Sequence, residues 1–265
     1  MSMPVVFFGH GSPVIALQTN ETTRTWHEIA QRITRDHGRP RAVLAISGHW
    51  LTRGVAVTAM AHPRTIHDFG PSLPRALFDI QYPAPGDPAL AARIAELLGP
   101  EPVILDRGEW GLDHGTWSVM CKAWPDADMP VVQLSLDVRR APRAHHDLAR
   151  ALRPLRDEGI LIVGTGNIVH NLRLMDWARQ DCAPHDWAAS FEERIVQAVM
   201  TGDAAQVIAY EGLGDAARLS VPTPDHYWPL LYAMGAARET DRPVCAPRHI
   251  EHGSLSMTSI TWWPA

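Results

Sequence analysis

Cysteine is scarce in this sequence, which has three, Cys121, Cys182 and Cys245, among 265 residues. They are odd in number, lie far apart and form no C-x-x-C pair, which argues against both a disulfide framework and a thiolate zinc knuckle. A chain with so few cysteines fits a reducing compartment best. The predicted location is therefore the cytoplasm.

Long apolar runs and basic clusters are also missing. No apolar segment approaches the roughly 20 residues that a membrane-spanning helix needs. The first apolar run has no basic region before it and stops at residues 9–13, Gly-His-Gly-Ser-Pro, so we expect no signal peptide. The arginines are scattered and the formal net charge is −5, which argues against nucleic acid or membrane as a partner. Small molecules remain as partners, and the sequence does not indicate an oligomeric state.

Short apolar runs alternate with amphipathic helical patterns along the chain. Strands are predicted at residues 5–8, 42–46, 55–60, 102–105, 131–136 and 160–163, with a final edge strand within residues 253–263. The helices include one from Pro142 to Gly159 and one that starts at Thr223 with Pro224 in its first turn. No repeat or linker divides the chain. The pattern predicts an α/β fold, a single α/β/α layered domain over residues 1–265 with a central, mostly parallel, mixed sheet.

Histidines follow several of the predicted strands. His10 lies between two glycines directly after the first strand, His49 and His170 end two others, and His114 lies in a loop after a fourth. Ligands of open α/β sheets bind beyond the carboxyl ends of the strands, and neutral imidazole binds divalent metals. We therefore predict a metal site at this edge. His226, in the first turn of a predicted helix, is a further candidate because the helix dipole favours its neutral form.

The other histidines are interpreted as structural or surface residues. His145 and His146 fall on a basic helical face. His249 and His252 flank Glu251 and could form a second metal pair, although nothing directs them to the first site. The remaining four lie on or after a surface helix or beside prolines in polar loops: His27, His37, His62 and His185.

Six motifs in a fixed order resemble one enzyme family. They are Gly9-His10-Gly11-Ser12-Pro13, Ser47-Gly48-His49-Trp50, His67-Asp68-Phe69-Gly70, Asp113-His114-Gly115-Thr116-Trp117, Gly166-Asn167-Ile168-Val169-His170-Asn171-Leu172 and Pro222-Thr223-Pro224-Asp225-His226. The set resembles the class III extradiol ring-cleaving dioxygenases, most of all their DOPA 4,5-dioxygenase-like branch, over residues 4–257. The resemblance implies a non-haem, metal-dependent enzyme that opens the ring of a DOPA-like or related catechol with O2 to give a semialdehyde.

The resemblance also implies residue roles. His10, His49 and His226 would be the metal ligands. His170 would be the acid/base residue, and a possible fourth ligand when zinc is bound. His114 would assist catalysis, either by contacting a metal-ligand residue or by contacting the substrate. One divalent metal is expected, Fe(II) for activity or Zn(II) as the bound species, because a three-histidine set is also what zinc favours.

Three residues are predicted to contact the substrate: His67, Asp68 and Tyr227. Asp113 or a backbone carbonyl is expected to orient a ligand histidine. The glycines beside His10 are predicted to keep the pocket wall low, so that a flat diol reaches the metal, with Gly11 the position to test.

Two other functions stay open from the residues alone. A zinc-dependent hydrolase could use the same histidines, although the sequence lacks H-E-x-x-H and its motifs carry few carboxylates. A non-catalytic metal-binding scaffold protein is the second alternative. The presence of an acid/base candidate, His170, disfavours it because a scaffold needs no such group.

Overall fold

The strands and helices are seen in a computed structural model that describes residues 2–100 and 102–265. The strands are β1 (Val5–Gly9), β2 (Ala42–Thr52), β3 (Val55–Thr58), β4 (Val103–Asp106), β5 (Val131–Asp137), β6 (Ile160–Gly166), β7 (Arg242–Cys245), β8 (Ile250–Glu251), β9 (Leu255–Ser256) and β10 (Ile260–Trp263). The helices are α1 (Glu21–His37), α2 (Pro88–Leu98), α3 (His114–Ala123), α4 (Pro142–Ala151), α5 (Pro154–Asp157), α6 (Asp186–Met200), α7 (Ala204–Ile208), α8 (Asp215–Ser220) and α9 (Trp228–Ala236). Short 3-10 helices span Pro13–Leu17, Arg75–Leu77 and Tyr210–Leu213.

Eight strands form one mixed sheet in the order β4-β3-β5-β2-β6-β1-β10-β7. The four central strands, β5, β2, β6 and β1, are parallel. Antiparallel pairs join this centre to the outer strands, through β3 on one side and β10 on the other. The predicted α/β fold with a mixed sheet is confirmed.

Helices cover both faces of the sheet, which explains the continuous apolar strands. Val5 and Phe7 of β1 pack into the core shared with α2, α4, α6 and α9, whereas Val6 and Phe8 face α1 and α3. All five residues of β1 and all seven of β6 are buried. Strands buried on both faces are typical of a sheet with parallel strands at its centre. The carboxyl ends of β1, β6 and β2 therefore meet at one edge.

The prediction of a single edge strand over residues 253–263 is wrong. The segment is divided between β9 and β10, and a turn at His252 and Gly253, both with positive φ, precedes β9. β10 lies between β1 and β7, so it is not at an edge. The four-residue β7 covers it, a strand too short and too exposed to be recognised from its sequence.

Two predicted helices also differ from the structure, and a proline explains each case. The helix from Pro142 is interrupted after Ala151, where Pro154 starts a separate helix because its ring does not fit a helix interior. α9 begins at Trp228, with Pro229 in its first turn, rather than at Thr223. His226 therefore lies in the turn before the helix and not in its first turn.

His145 and His146 are buried, so their placement on a solvent-facing surface is wrong. Both lie on the side of α4 that packs against α9. His145 packs against the ring of Trp228 at 4.3 Å, and its Nδ1 is 3.2 Å from the hydroxyl of Tyr232. The helical face was misassigned because arginines flank the two histidines in sequence.

The three cysteines are free thiols, as their spacing predicts. Within the described residues, no helix combines the length and apolar character needed to cross a membrane.

Candidate metal centre

Two of the predicted ligands are placed by the parallel strands. His10 directly follows β1, and its backbone N–H donates to the carbonyl of Gly166 at the end of β6, at 3.1 Å. His49 lies within β2, where the pairing with β5 shifts register between Ile46 and Leu51. Since β1 and β2 flank β6 in parallel, the two histidines reach the same edge of the sheet.

His226 is brought to this edge by the turn before α9. Its carbonyl accepts a hydrogen bond from the backbone N–H of Asn167 at 2.8 Å. Two glycines permit the close approach: a Cβ at Gly166 would lie 2.1 Å from the carbonyl oxygen of His226, and one at Gly48 would lie 3.1 Å from its Cα. The turn is therefore held against the ends of β2 and β6 by backbone contacts that side chains would block.

The three histidines converge through their Nε2 atoms. Nε2 of His49 is 3.2 Å from Nε2 of His10 and 3.2 Å from Nε2 of His226. With metal–nitrogen bonds of roughly 2.0–2.1 Å, this separation corresponds to an angle of about 100° at a shared ion. Such an angle suits both tetrahedral and octahedral sites, so the set fits one divalent metal without selecting zinc or iron.

Carboxylates lie behind two of these histidines. Nδ1 of His226 contacts Asp225, and Nδ1 of His49 is 3.3 Å from Oδ2 of Asp68. A carboxylate accepts the Nδ1 proton and leaves the lone pair on Nε2, where a metal binds. The Asp225 contact favours the His226 tautomer whose Nε2 lone pair faces Nε2 of His49 across 3.2 Å, an arrangement that a cation between them would stabilise.

The electrostatics favour neutral imidazoles and charged carboxylates. Burial lowers the pKa of His10 and of His49 well below the ordinary value, and the neighbouring histidines lower it further. Burial raises the pKa of Asp225 and of Asp68, but hydrogen bonds and charge from His226 and His114, respectively, outweigh it and both end below their usual range. Neutral imidazole is the metal-binding form.

His170 lies beside the three histidines and not among them. Its ring is stacked on that of His226, with centroids 3.6 Å apart and planes within 5°. It forms a separate group with Asp225 and His226. Burial and the neighbouring His226 lower the pKa of His170 well below its usual value, while Asp225 opposes this shift. A neutral imidazole that can accept a proton is thus held next to the metal site, whereas the stacking gives no support to a fourth-ligand role.

His114 is the first residue of α3, not part of a loop, and Asp113 caps the helix by accepting from the N–H of Thr116 at 3.1 Å. The His114 ring lies 3.9 Å from that of His49. Gly115 allows this approach, since a Cβ there would lie 2.5 Å from Oγ of Ser47 and 2.7 Å from Cδ2 of His49. Asp113 is fully buried, and its carboxylate accepts hydrogen bonds from the N–H of Thr116 and from Nε2 of Gln133 rather than from a ligand histidine.

The three residues predicted to contact substrate have different surroundings. His67 is half-buried and its Nε2 donates to the carbonyl of Ile80 at 3.0 Å, which leaves its ring beside Phe69 and Phe78. Asp68 faces His49 and His114. The substrate prediction for Tyr227 is wrong, because its hydroxyl donates to the carbonyl of Val207 at 2.9 Å inside the core.

The glycines beside His10 serve packing and not substrate access. A Cβ at Gly9 would lie 2.6 Å from the backbone of Met257, and one at Gly11 would lie 2.4 Å from the Met257 sulfur. Gly11 also has a φ of +59°, which favours glycine. Both residues let the segment before β10 pack against His10, so the predicted low pocket wall is wrong.

The second metal pair does not form. Nε2 of His249 is 3.4 Å from Glu251, but Nδ1 of His252 donates to the carbonyl of Asp176 at 2.9 Å, away from that carboxylate.

The contacts of Asp225 and Gly115 with the site are not predicted from the sequence, and Asp68 is predicted there with a different partner. Asp225 was noted only as an acid in a motif, although a carboxylate adjacent to a ligand histidine in a turn is a usable signal. Gly115 had a signal too, since a glycine in the first turn of a helix indicates a close approach. Asp68 had none, because its contact with His49 depends on the path of a long loop.

The comparisons with known proteins agree with this geometry. Residues 4–258 match the family model described as the catalytic LigB subunit of aromatic ring-opening dioxygenase. A "4,5-DOPA dioxygenase extradiol" of Escherichia coli K12 is 48% identical over 262 residues, which cover 97% of this chain and 94% of the relative. One from Beta vulgaris is 36% identical, over 96% and 94% of the two chains. A crystal structure of an uncharacterized protein from Escherichia coli K12 superposes with a TM-score of 0.83 at 42% identity, over 98% and 99% of the chains.

The fold and the histidine site thus define a metal-dependent ring-opening oxygenase. This chain belongs to the LigB family of aromatic ring-opening dioxygenases. The family resemblance inferred from the six motifs is confirmed, and so is the prediction of an extradiol ring-cleaving dioxygenase at the level of the class.

Proposed function

We propose that this protein opens the ring of a DOPA-like catechol beside its two hydroxyl groups, with O2, to give a semialdehyde. The observation that carries the proposal is the convergence of the Nε2 atoms of His10, His49 and His226 with a neutral His170 beside them. The names of the curated relatives support DOPA as the first substrate to test. Because the site draws on residues from His10 to His226, we propose one catalytic domain over residues 1–265. The three free cysteines support a proposed location in the cytoplasm.

His10, His49 and His226 are the proposed ligands of one divalent metal, Fe(II) in the active enzyme. When bound, that ion would supply the Lewis-acid and redox chemistry that the reaction of a catechol with O2 requires. Three neutral imidazoles bring no charge of their own. The set therefore favours a substrate that binds as an anion, as a deprotonated catechol does.

His170 is the proposed acid/base residue. Its neutral imidazole nitrogen would take the proton of a catechol hydroxyl and return a proton as the ring opens. Stacking on His226 fixes the plane of the His170 ring next to the proposed ligand set. Its backbone N–H donates to the carbonyl of Ser220 at 2.8 Å, which holds the main chain at this position.

Aromatic side chains near His114 are proposed to hold the catechol ring. Phe69 packs edge-on against His114 at 5.5 Å and against Phe78 at 5.0 Å. The ring of His67 lies 5.7 Å from that of Trp117. Flat apolar surfaces of this kind suit a planar aromatic substrate.

The hydrolase alternative is weaker. Each acidic residue that the described chain brings to this site is already engaged: Asp68 by His49 and His114, Asp225 by His226, and Asp113 by the first turn of α3. A metal-dependent hydrolase would therefore depend on His170 alone as the base that activates water.

The test is reconstitution of the metal-free protein with Fe(II) in the absence of O2, followed by DOPA and a panel of other catechols under O2. We expect oxygen uptake together with a coloured ring-opened product, and no turnover from the Zn(II)-loaded protein. If no catechol supports oxygen uptake by the iron-loaded protein, the proposed activity is wrong.

A further inference from the structure

The loop between β3 and α2 places the carboxylate of Asp68 beside two histidines of the metal site. The backbone of Ile66, two residues before Asp68, is hydrogen-bonded to α3 and to the segment before it. Its N–H donates to the carbonyl of Leu112 at 2.7 Å, and its carbonyl accepts from Nε1 of Trp117 at 2.7 Å. These contacts hold residues 64–67 in place. Asp68 follows directly and is mostly buried, with 17% of its side chain exposed.

Both carboxylate oxygens of Asp68 face histidines. Oδ1 accepts a hydrogen bond from the backbone N–H of His114 at 2.9 Å, and it also lies 2.9 Å from Nδ1 of the same residue. Oδ2 lies 3.3 Å from Nδ1 of His49. One carboxylate thus bridges a proposed metal ligand and a histidine that is not a ligand, and each of its oxygens has a histidine partner.

We infer that Asp68 is a positioning residue, which holds His49 and His114 in the tautomers with a proton on Nδ1 and so couples metal binding to the placement of the β3–α2 loop. The inference rests on the proposed function for its catalytic consequence. Its consequence for metal binding depends only on the three-histidine site. A substrate-contacting role, as the sequence predicts, would instead raise the KM for the catechol when the carboxylate is removed.

The other carboxylate at the site acts differently. Asp225 is adjacent in sequence to its partner His226, so the turn itself brings the two together. Asp68 is 19 residues from His49 and 46 from His114, and only the loop brings them together. Loss of the Asp68 carboxylate should therefore affect two histidines and one loop at once.

The test compares Asp68→Asn with Asp79→Asn, an exposed aspartate on the same loop. Asparagine keeps the shape of Asp68 but presents an N–H to one of the two Nδ1–H groups. Zn(II) affinity of the metal-free proteins is measured by competition with a chromophoric chelator, and kcat and KM are measured with the iron-loaded enzyme. We expect about 10- to 100-fold weaker Zn(II) binding and a similar fall in kcat for Asp68→Asn, with KM changed less than threefold. Asp79→Asn should match the wild type.

Wild-type Zn(II) affinity in Asp68→Asn overturns the inference, whether or not the enzyme is active. A raised KM with unchanged kcat also overturns it and returns Asp68 to substrate binding. If the wild type turns over no catechol, the proposed function fails, while weaker Zn(II) binding in the variant still supports the positioning role.

A double variant separates positioning from a general loss of structure. If Asp68 acts through His114, Asp68→Asn combined with His114→Gln should lower kcat no more than about threefold beyond the worse single variant. Fully multiplicative losses would contradict a shared pathway. Asp68→Glu serves as the second variant should Asp68→Asn fold poorly, and partial recovery of Zn(II) affinity over Asp68→Ala is the expected result; no recovery counts against the inference.

Discussion

Buried histidines occur in two regions of this protein, at the carboxyl edge of the sheet and between α4 and α9. At the edge, His49 lies 3.2 Å from two other Nε2 atoms and has a carboxylate behind it. Between the helices, His145 packs on Trp228, and a neutral hydroxyl faces its Nδ1. Burial lowers the pKa of histidine in both regions. A depressed pKa therefore does not distinguish the two regions, whereas convergence of several imidazoles with carboxylates behind them indicates a metal site.

The largest difference in metal content and activity is expected between His49→Ala, at the sheet edge, and His145→Gln, between the two helices. Removal of His49 takes away the central nitrogen of the three and leaves a two-histidine site. Metal content and ring-opening activity should both fall to background, while His145→Gln keeps both. Metal analysis after Fe(II) reconstitution, with an oxygen-uptake assay, checks this. Equal metal content in the two variants would remove the distinction drawn between the regions.

Within the edge region, His170→Gln should separate chemistry from metal binding. Loss of a proton-transferring group commonly costs 10²- to 10⁴-fold in rate, so we expect kcat to fall by about that range. Metal content should stay at the wild-type level because His170 lies outside the converging set. Full activity in a variant that binds iron normally would show that His170 is not the acid/base residue.

Gly115→Ala tests how closely the edge region is packed. The new Cβ would meet Oγ of Ser47 and Cδ2 of His49, so α3 must shift away from the ligands. We expect metal affinity to fall about tenfold, and the free energy of unfolding to fall by about 1–3 kcal/mol from overpacking. Gly108→Ala is the matched control, since nothing lies within 4 Å of its Cβ position. Chelator competition and urea unfolding give the two readouts, and a wild-type result in both would refute the packing argument.

The smallest expected effect is the pH dependence of His145. Burial lowers its pKa from 6.5 to about 4, so the unfolded chain binds the proton at a pH where the folded protein does not. Stability is therefore lost as the pH falls from about 6.5 towards 4, and this group accounts for about 2 kcal/mol at pH 5. His145→Gln should lose correspondingly less unfolding free energy between pH 7.5 and pH 5. Parallel curves for variant and wild type would show that His145 is not buried in its neutral form.

The sequence predicts those parts of the site that depend on local structure. His10 and His49 were located because apolar strands and small residues surround them, and strand direction alone places both at one edge. The sequence did not locate the Asp68 contact with His49, or the buried side of α4 that carries His145. Both arise from tertiary packing between distant segments. Tyr227 was misplaced for the same reason, since α9 begins only at Trp228 and the turn before it directs the Tyr227 ring into the core.

The most direct measurement of the central claim is anomalous X-ray diffraction, at the iron edge, from crystals loaded with Fe(II) without O2. The account predicts one anomalous peak, at roughly 2.0–2.1 Å from the Nε2 atoms of His10, His49 and His226 and farther from His170. A peak elsewhere in the protein would contradict this prediction. So would a peak within bonding distance of His170 but not of all three of the other histidines.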